Sequence, residues 1–113
     1  MITIYHNPRC SKSRQALQIL GDAGKEVKVV EYLKQPPTED ELRDVLGKLN
    51  LPIEYLIRTK EPLYKSEFKD KALTDDEWIS ILVKNPQLLE RPIVFDGETA
   101  VLGRPPENVD KLL

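Results

Sequence analysis

Two short apolar runs flank a segment of helical periodicity at the start of the chain, and no other feature limits the fold as much. Ile2, Ile4 and Tyr5 read as a buried strand over residues 2–5. Ala16, Leu17, Ile19, Leu20 and Ala23 then recur at helical spacing, which predicts a helix over about residues 10–22. Gly24 stops that helix, and Val27 to Tyr32 reads as a second strand. Strands joined through a helix of this length pair in parallel, as a βαβ unit.

The middle of the chain is helical. Pro36-Pro37 breaks the second strand, and Thr38 with Glu41 forms a capping box ahead of Leu42, Val45, Leu46 and Leu49, spaced along one helix face. A shorter helical piece, Ile53 to Arg58, follows Pro52, and residues 59–73 are charged and irregular. A second capping box, Thr74 with Glu77, opens a helix through Val83 that Asn85-Pro86 ends. The pattern then changes to period two. Asp96-Gly97 between Ile93-Val94-Phe95 and Thr99-Ala100-Val101-Leu102 signals a hairpin, with a terminal helix over about residues 107–112. The order β-α-β, helices, β-β-α resembles a thioredoxin or glutaredoxin framework. The expected fold is thus α/β: a four-stranded mixed sheet with a helical insertion, about residues 38–90, between its βαβ and ββα halves. At 113 residues the chain suits one domain, residues 1–113.

Composition narrows the function classes. A net charge of -2 argues against a nucleic-acid partner. No run approaches the roughly 18 apolar residues of a membrane span. One cysteine makes no internal disulfide, and no secretory signal is visible, so the expected location is cytoplasmic.

That cysteine, Cys10, lies where the first strand hands over to the first helix. Pro8 keeps Asn7 out of helical geometry, so Cys10 falls at or within the first turn, where free backbone N–H groups favour negative charge. Arg9, Lys12 and Arg14 crowd the same turn, which predicts a thiol titrating below its ordinary value of about 8.5 and a small anionic ligand. A lone cysteine is commonly a small buried hydrophobe. The cationic flanks, the strand-to-helix turn and His6, four residues upstream, favour a reactive one. A phosphatase loop would need an arginine where Ala16 stands, and a dithiol motif a cysteine where Ser13 stands. One histidine and one cysteine are too few for a tetrahedral metal site, so no metal is expected. Arg58, Arg91 and Arg104 lie at turns. Each alone reads as a solvated surface residue, but together they could converge on an oxyanion, which the planar guanidinium fork suits.

The segments Ile2-Thr3-Ile4-Tyr5-His6-Asn7-Pro8, Glu90-Arg91-Pro92-Ile93-Val94 and Gly103-Arg104-Pro105, with His6, Cys10, Arg14 and Arg58, resemble the glutaredoxin-linked arsenate reductase family. The Pro-Arg-Cys-Ser-Lys-Ser-Arg loop is similar to a shorter, chromosomally encoded branch of it. The resemblance implies a thioredoxin-like fold and reduction of arsenate to arsenite. It makes Cys10 the nucleophile and Arg58, Arg91 and Arg104 the ligands of the oxyanion. His6 would perturb the thiolate, Ser13 and Arg14 would support the anion loop, and Pro92 would be the cis-proline opposite the cysteine. It also implies glutathione as co-substrate, glutaredoxin as partner and no bound cofactor. Two other classes fit the same residues: a redox regulator similar to the Spx family, which binds RNA polymerase, and a glutathione-dependent monothiol oxidoreductase.

Overall fold

Side chains alternate faces along a strand, and this alternation divides the core of the chain in two. The computed structural model describes residues 1–113. Its strands are β1 (Ile2–Tyr5), β2 (Val27–Val30), β3 (Ile93–Phe95) and β4 (Ala100–Leu102), and its helices α1 (Ser11–Asp22), α2 (Glu39–Leu49) and α3 (Asp75–Lys84). The strands form one sheet in the order β2-β1-β3-β4, with β1 parallel to β2 and the other two pairs antiparallel. Ile2 and Ile4 of β1, Val94 of β3 and Val101 of β4 meet Ala16 and Leu20 of α1 and Val109 on one face. Tyr5, Ile93 and Ala100 face the other way, onto Leu42 and Val45 of α2 and Trp78, Ile79 and Leu82 of α3. The four-stranded mixed sheet with a helical insertion holds as expected. No helix is long and apolar enough to cross a membrane.

Both insertion helices start at the capping boxes. The Thr38 hydroxyl accepts from the Glu41 N–H at 3.1 Å and the Glu41 carboxylate accepts from the Thr38 N–H at 3.0 Å, a pairing that Thr74 and Glu77 repeat. Elsewhere the elements differ from the sequence expectation. β2 stops at Val30 rather than Tyr32, because the chain turns there and drives Tyr32 inward, leaving it 2% exposed. The piece after Pro52 is a 3-10 turn over Ile53–Leu56, and Arg58 lies beyond it. Within residues 59–73 a π-turn, Tyr64–Phe68, packs Tyr64 and Phe68 on Trp78. The terminal segment is a 3-10 helix, Pro106–Leu112. Its core-facing residues, Pro106, Val109 and Leu112, recur every three positions, the period at which 3-10 side chains align.

Strand register then assembles the site. Tyr5 lies opposite both Val30 and Ile93, and Ile93 opposite Leu102. The residues after β1, after β2 and after β4, and those before β3, therefore leave the sheet at one end. His6 to Cys10, Glu31-Tyr32, Arg91-Pro92 and Gly103-Arg104 become neighbours although 94 positions separate Cys10 from Arg104.

Gly103 permits the closest approach at that end. Its N–H donates to the Pro92 carbonyl at 2.9 Å, and a Cβ there would sit 2.6 Å from Pro92 Cγ and 3.4 Å from Ala16 Cβ. Gly103→Ala should destabilise the fold by about 1–3 kcal/mol, read as a lower urea midpoint with an unchanged slope. A denaturation curve superimposing on that of the unsubstituted protein would contradict this packing.

Candidate active site

Cys10 is the N-cap residue of α1, in extended conformation, with its carbonyl accepting from the Arg14 N–H at 3.0 Å. The thiol is 8% exposed. Burial pushes its pKa up, but the Ser13 N–H, the Arg91 charge, the Lys12 N–H and a hydrogen bond from the Arg91 side chain together hold it below the ordinary thiol value. The helix-start N–H groups act as the sequence predicts, but the structure corrects the part given to the side chains of Arg9, Lys12 and Arg14. Those side chains are exposed, Arg14 Nη1 donates to the Pro8 carbonyl at 2.9 Å, and Lys12 acts through its backbone. Side chains of a helix's first turn splay away from the axis while its N–H groups point along it, so the amides reach the sulfur and the local cations do not.

His6 and Ser13 brace this turn from beneath. His6 is 7% exposed and Ser13 fully buried, and His6 Nδ1 and Ser13 Oγ share a hydrogen bond of 2.6 Å. The same hydroxyl accepts from the Asn7 N–H at 3.1 Å. Burial is the main cause of a lowered His6 pKa; Glu31 opposes it and Arg14 adds to it. His6 thus hydrogen-bonds the residue whose N–H meets the sulfur. Ser13's hydroxyl and Arg14's guanidinium are both occupied in shaping the loop.

The three distant arginines are brought together. Arg91 and Arg104 each precede a cis peptide bond, to Pro92 and Pro105, the second of which the sequence reading lacked. Arg104 Nη1 lies 4.0 Å from Cys10 Sγ and donates to the Arg91 carbonyl at 3.3 Å. The Arg91 side chain is 13% exposed, and its Nε–H has no partner within the protein. Arg58 arrives by a non-local route. Ile57 and Leu89 form an isolated antiparallel bridge, with Arg58 N–H donating to the Leu88 carbonyl and Glu90 N–H to the Leu56 carbonyl, each at 2.7 Å. Arg58, Arg91 and Arg104 line one polar cavity of about 260 Å³ with Thr59, Lys60 and Glu90.

Sequence reasoning missed three residues here. Tyr32 was assigned to a strand because it ends an apolar run. Its phenol is pushed up by burial and senses Arg91, Cys10 and Arg58. Glu61 pairs with Arg58 at 2.8 Å, and Glu90 lies between Arg91 and Arg104, 3.8 Å and 3.9 Å away. The signal for Glu90 is its position directly before Arg91, which puts a carboxylate next to one of the three arginines.

Taken together, a thiol held below its ordinary pKa at a helix start, the cis-proline Pro92 at the same end of the sheet and an arginine-lined polar cavity define a thiol site of thioredoxin-like architecture. A family model, the ArsC family, matches residues 5–112. The chain is 44% identical over 114 residues to a protein named arsenate reductase from Neisseria meningitidis serogroup A, covering 99% of this chain and 97% of that one. It is 46% identical over 110 residues to an uncharacterized protein of Escherichia coli (strain K12), YfgD, covering 96% and 92%. Among solved structures, the arsenate reductase from Vibrio cholerae superposes with a TM-score of 0.94 at 40% identity, covering 99% and 97%. The chain belongs to the ArsC family.

The alkylation rate of Cys10 should rise with pH through a midpoint below about 8.5, since the thiolate is the reacting form. Arg91→Gln should move that midpoint up, while Arg14→Gln leaves it nearly unchanged. Equal shifts in both variants would contradict the assignment of the stabilising charge to Arg91.

Proposed function

We propose that this protein reduces arsenate to arsenite, with Cys10 as nucleophile. The observation that carries the reading is the convergence of Arg58, Arg91 and Arg104, from three separate loops, on a cavity beside a thiol whose pKa is lowered. The names of its relatives support the same substrate. A tetrahedral oxyanion takes several N–H donors at once, and guanidinium groups supply them in a fixed plane.

The Cys10 thiolate attacks arsenic and a protonated oxygen departs as water, leaving a covalent sulfur–arsenic(V) adduct. The arginines balance the oxyanion charge as that bond forms. The rest of the cycle draws on thiols from outside, since Cys10 is the only cysteine. Glutathione displaces a second oxygen as water. A glutaredoxin thiolate then takes the glutathione sulfur as a mixed disulfide. The electron pair of the broken sulfur–arsenic bond stays on arsenic, which falls from the pentavalent to the trivalent state. Water releases arsenite and restores Cys10. Arginines gathered at the thiol favour an enzyme over a polymerase-binding regulator and exceed what a monothiol oxidoreductase needs.

A coupled assay with arsenate, glutathione, glutaredoxin, glutathione reductase and NADPH tests the reading. The unsubstituted chain should turn over, Cys10→Ser should abolish turnover, and Arg91→Lys should lower kcat/KM about tenfold because lysine lacks the two-point fork. Thioredoxin alone should not sustain the cycle. Many turnovers with thioredoxin alone would overturn the glutathione-linked scheme.

A further inference from the structure

The cavity that gathers three arginines and Lys60 has one carboxylate, Glu90, in its lining, and a second, Glu61, pairs with Arg58 outside that lining; the two are held differently. Glu61 hydrogen-bonds Arg58 Nη1 at 2.8 Å and so occupies one of its donors. Glu90 stands off from its cations. Its Oε1 is 3.8 Å from Arg91 Nη1 and 3.9 Å from Arg104 Nε, and the hydrogen bond it does accept, at 3.3 Å, comes from the Arg91 backbone N–H. Its own N–H is tied to the Leu56 carbonyl at 2.7 Å, and its side chain is 24% exposed. The carboxylate is thus fixed by the backbone at both ends of the residue, between two guanidinium groups, without consuming their N–H donors. Four cations line the cavity, Arg58, Lys60, Arg91 and Arg104, against the one carboxylate of Glu90, so the lining keeps a positive surplus that favours an anion.

The geometry points to Glu90 as a residue that trims the charge of the anion cavity and so limits its ground-state grip on phosphate and arsenate alike; this rests on the oxyanion reading above. Phosphate and arsenate share shape and charge, so a cavity that bound by charge alone would fill with whichever is more abundant. The difference between them is chemical: a thiolate adds to arsenic and the adduct is reducible. Binding both ground states equally tightly adds nothing to the rate of that step. A fixed counter-charge lowers such uniform binding while the guanidinium N–H groups stay free for the transition state.

Inorganic phosphate is the probe, bound to the full-length chain and followed by calorimetry, with arsenate kinetics in parallel. Glu90→Gln should tighten phosphate binding by about five- to tenfold, through the gain of one unit of net positive charge beside the anion. Glu90→Asp, which keeps the charge, should stay within about twofold. For arsenate, Glu90→Gln should lower KM and leave kcat unraised, whereas a merely structural residue would raise KM or lower kcat with no gain in phosphate affinity. Should Glu90→Gln not fold, the same change is made in Arg104→Gln, where the carboxylate has one cation fewer, and phosphate again binds more tightly than in Arg104→Gln alone. Unchanged or weaker phosphate binding in folded Glu90→Gln overturns the inference. If the unsubstituted chain binds neither phosphate nor arsenate, the oxyanion reading itself fails, and the inference with it.

Discussion

Burying a sulfur anion is more costly than burying a neutral thiol, and the placement of Cys10 makes this the central constraint of the structure. Burial works against the thiolate, yet the net effect lies on the side of ionisation because two helix-start amides and Arg91 face the sulfur. None of these is mobile by design. The amides belong to α1, whose buried face is held by Ala16 and Leu20 against the sheet, and the turn before it is braced by the His6–Ser13 hydrogen bond. Arg91 is almost buried and leads directly into β3. The lowered pKa of the sulfur is therefore a property of the packed core, transmitted through two elements that the core positions.

Sheet register is what makes those elements neighbours. The ends of β1, β2 and β4 and the start of β3 coincide because Tyr5, Val30, Ile93 and Leu102 lie in line across the strands. A shift of one residue in any strand would exchange its two faces. Val94 and Val101 would then leave the α1 side and the arginine loops would move away from the thiol. The insertion contributes by a single non-local bridge, Ile57 to Leu89, which carries Arg58 to the cavity edge. The packing of α2 and α3 on the sheet face opposite α1 is thus coupled to the chemistry through one pair of residues.

Features written in local patterns were legible in the sequence. The strand-to-helix turn at Cys10, the two capping boxes and the Asp-Gly hairpin each depend on residues within a few positions of one another. The same locality produced the errors. Proximity in sequence suggests Arg9, Lys12 and Arg14 as the thiolate's cations beside the helix-start amides, whereas the cation that acts on the sulfur is Arg91, from the segment before β3. Tyr32 looked like one more apolar strand residue, because alternation cannot reveal a turn that redirects a side chain inward. The terminal segment looked α-helical until its period of three was met in the packing of Pro106, Val109 and Leu112. Neither the periodicity around Glu61 nor the resemblance segment that contains Glu90 assigns these carboxylates a place at the site, and their meaning comes from the distances to the arginines.

The most direct measurement is the position of an oxyanion in crystals of the Cys10→Ser protein soaked with arsenate, a variant that leaves the cavity intact but cannot form the adduct. The account predicts arsenate within hydrogen-bonding distance of Arg58, Arg91 and Arg104, with arsenic facing the residue 10 side chain. Arsenate bound elsewhere, or guanidinium groups turned out to solvent around an unfilled cavity at saturating arsenate, would contradict it.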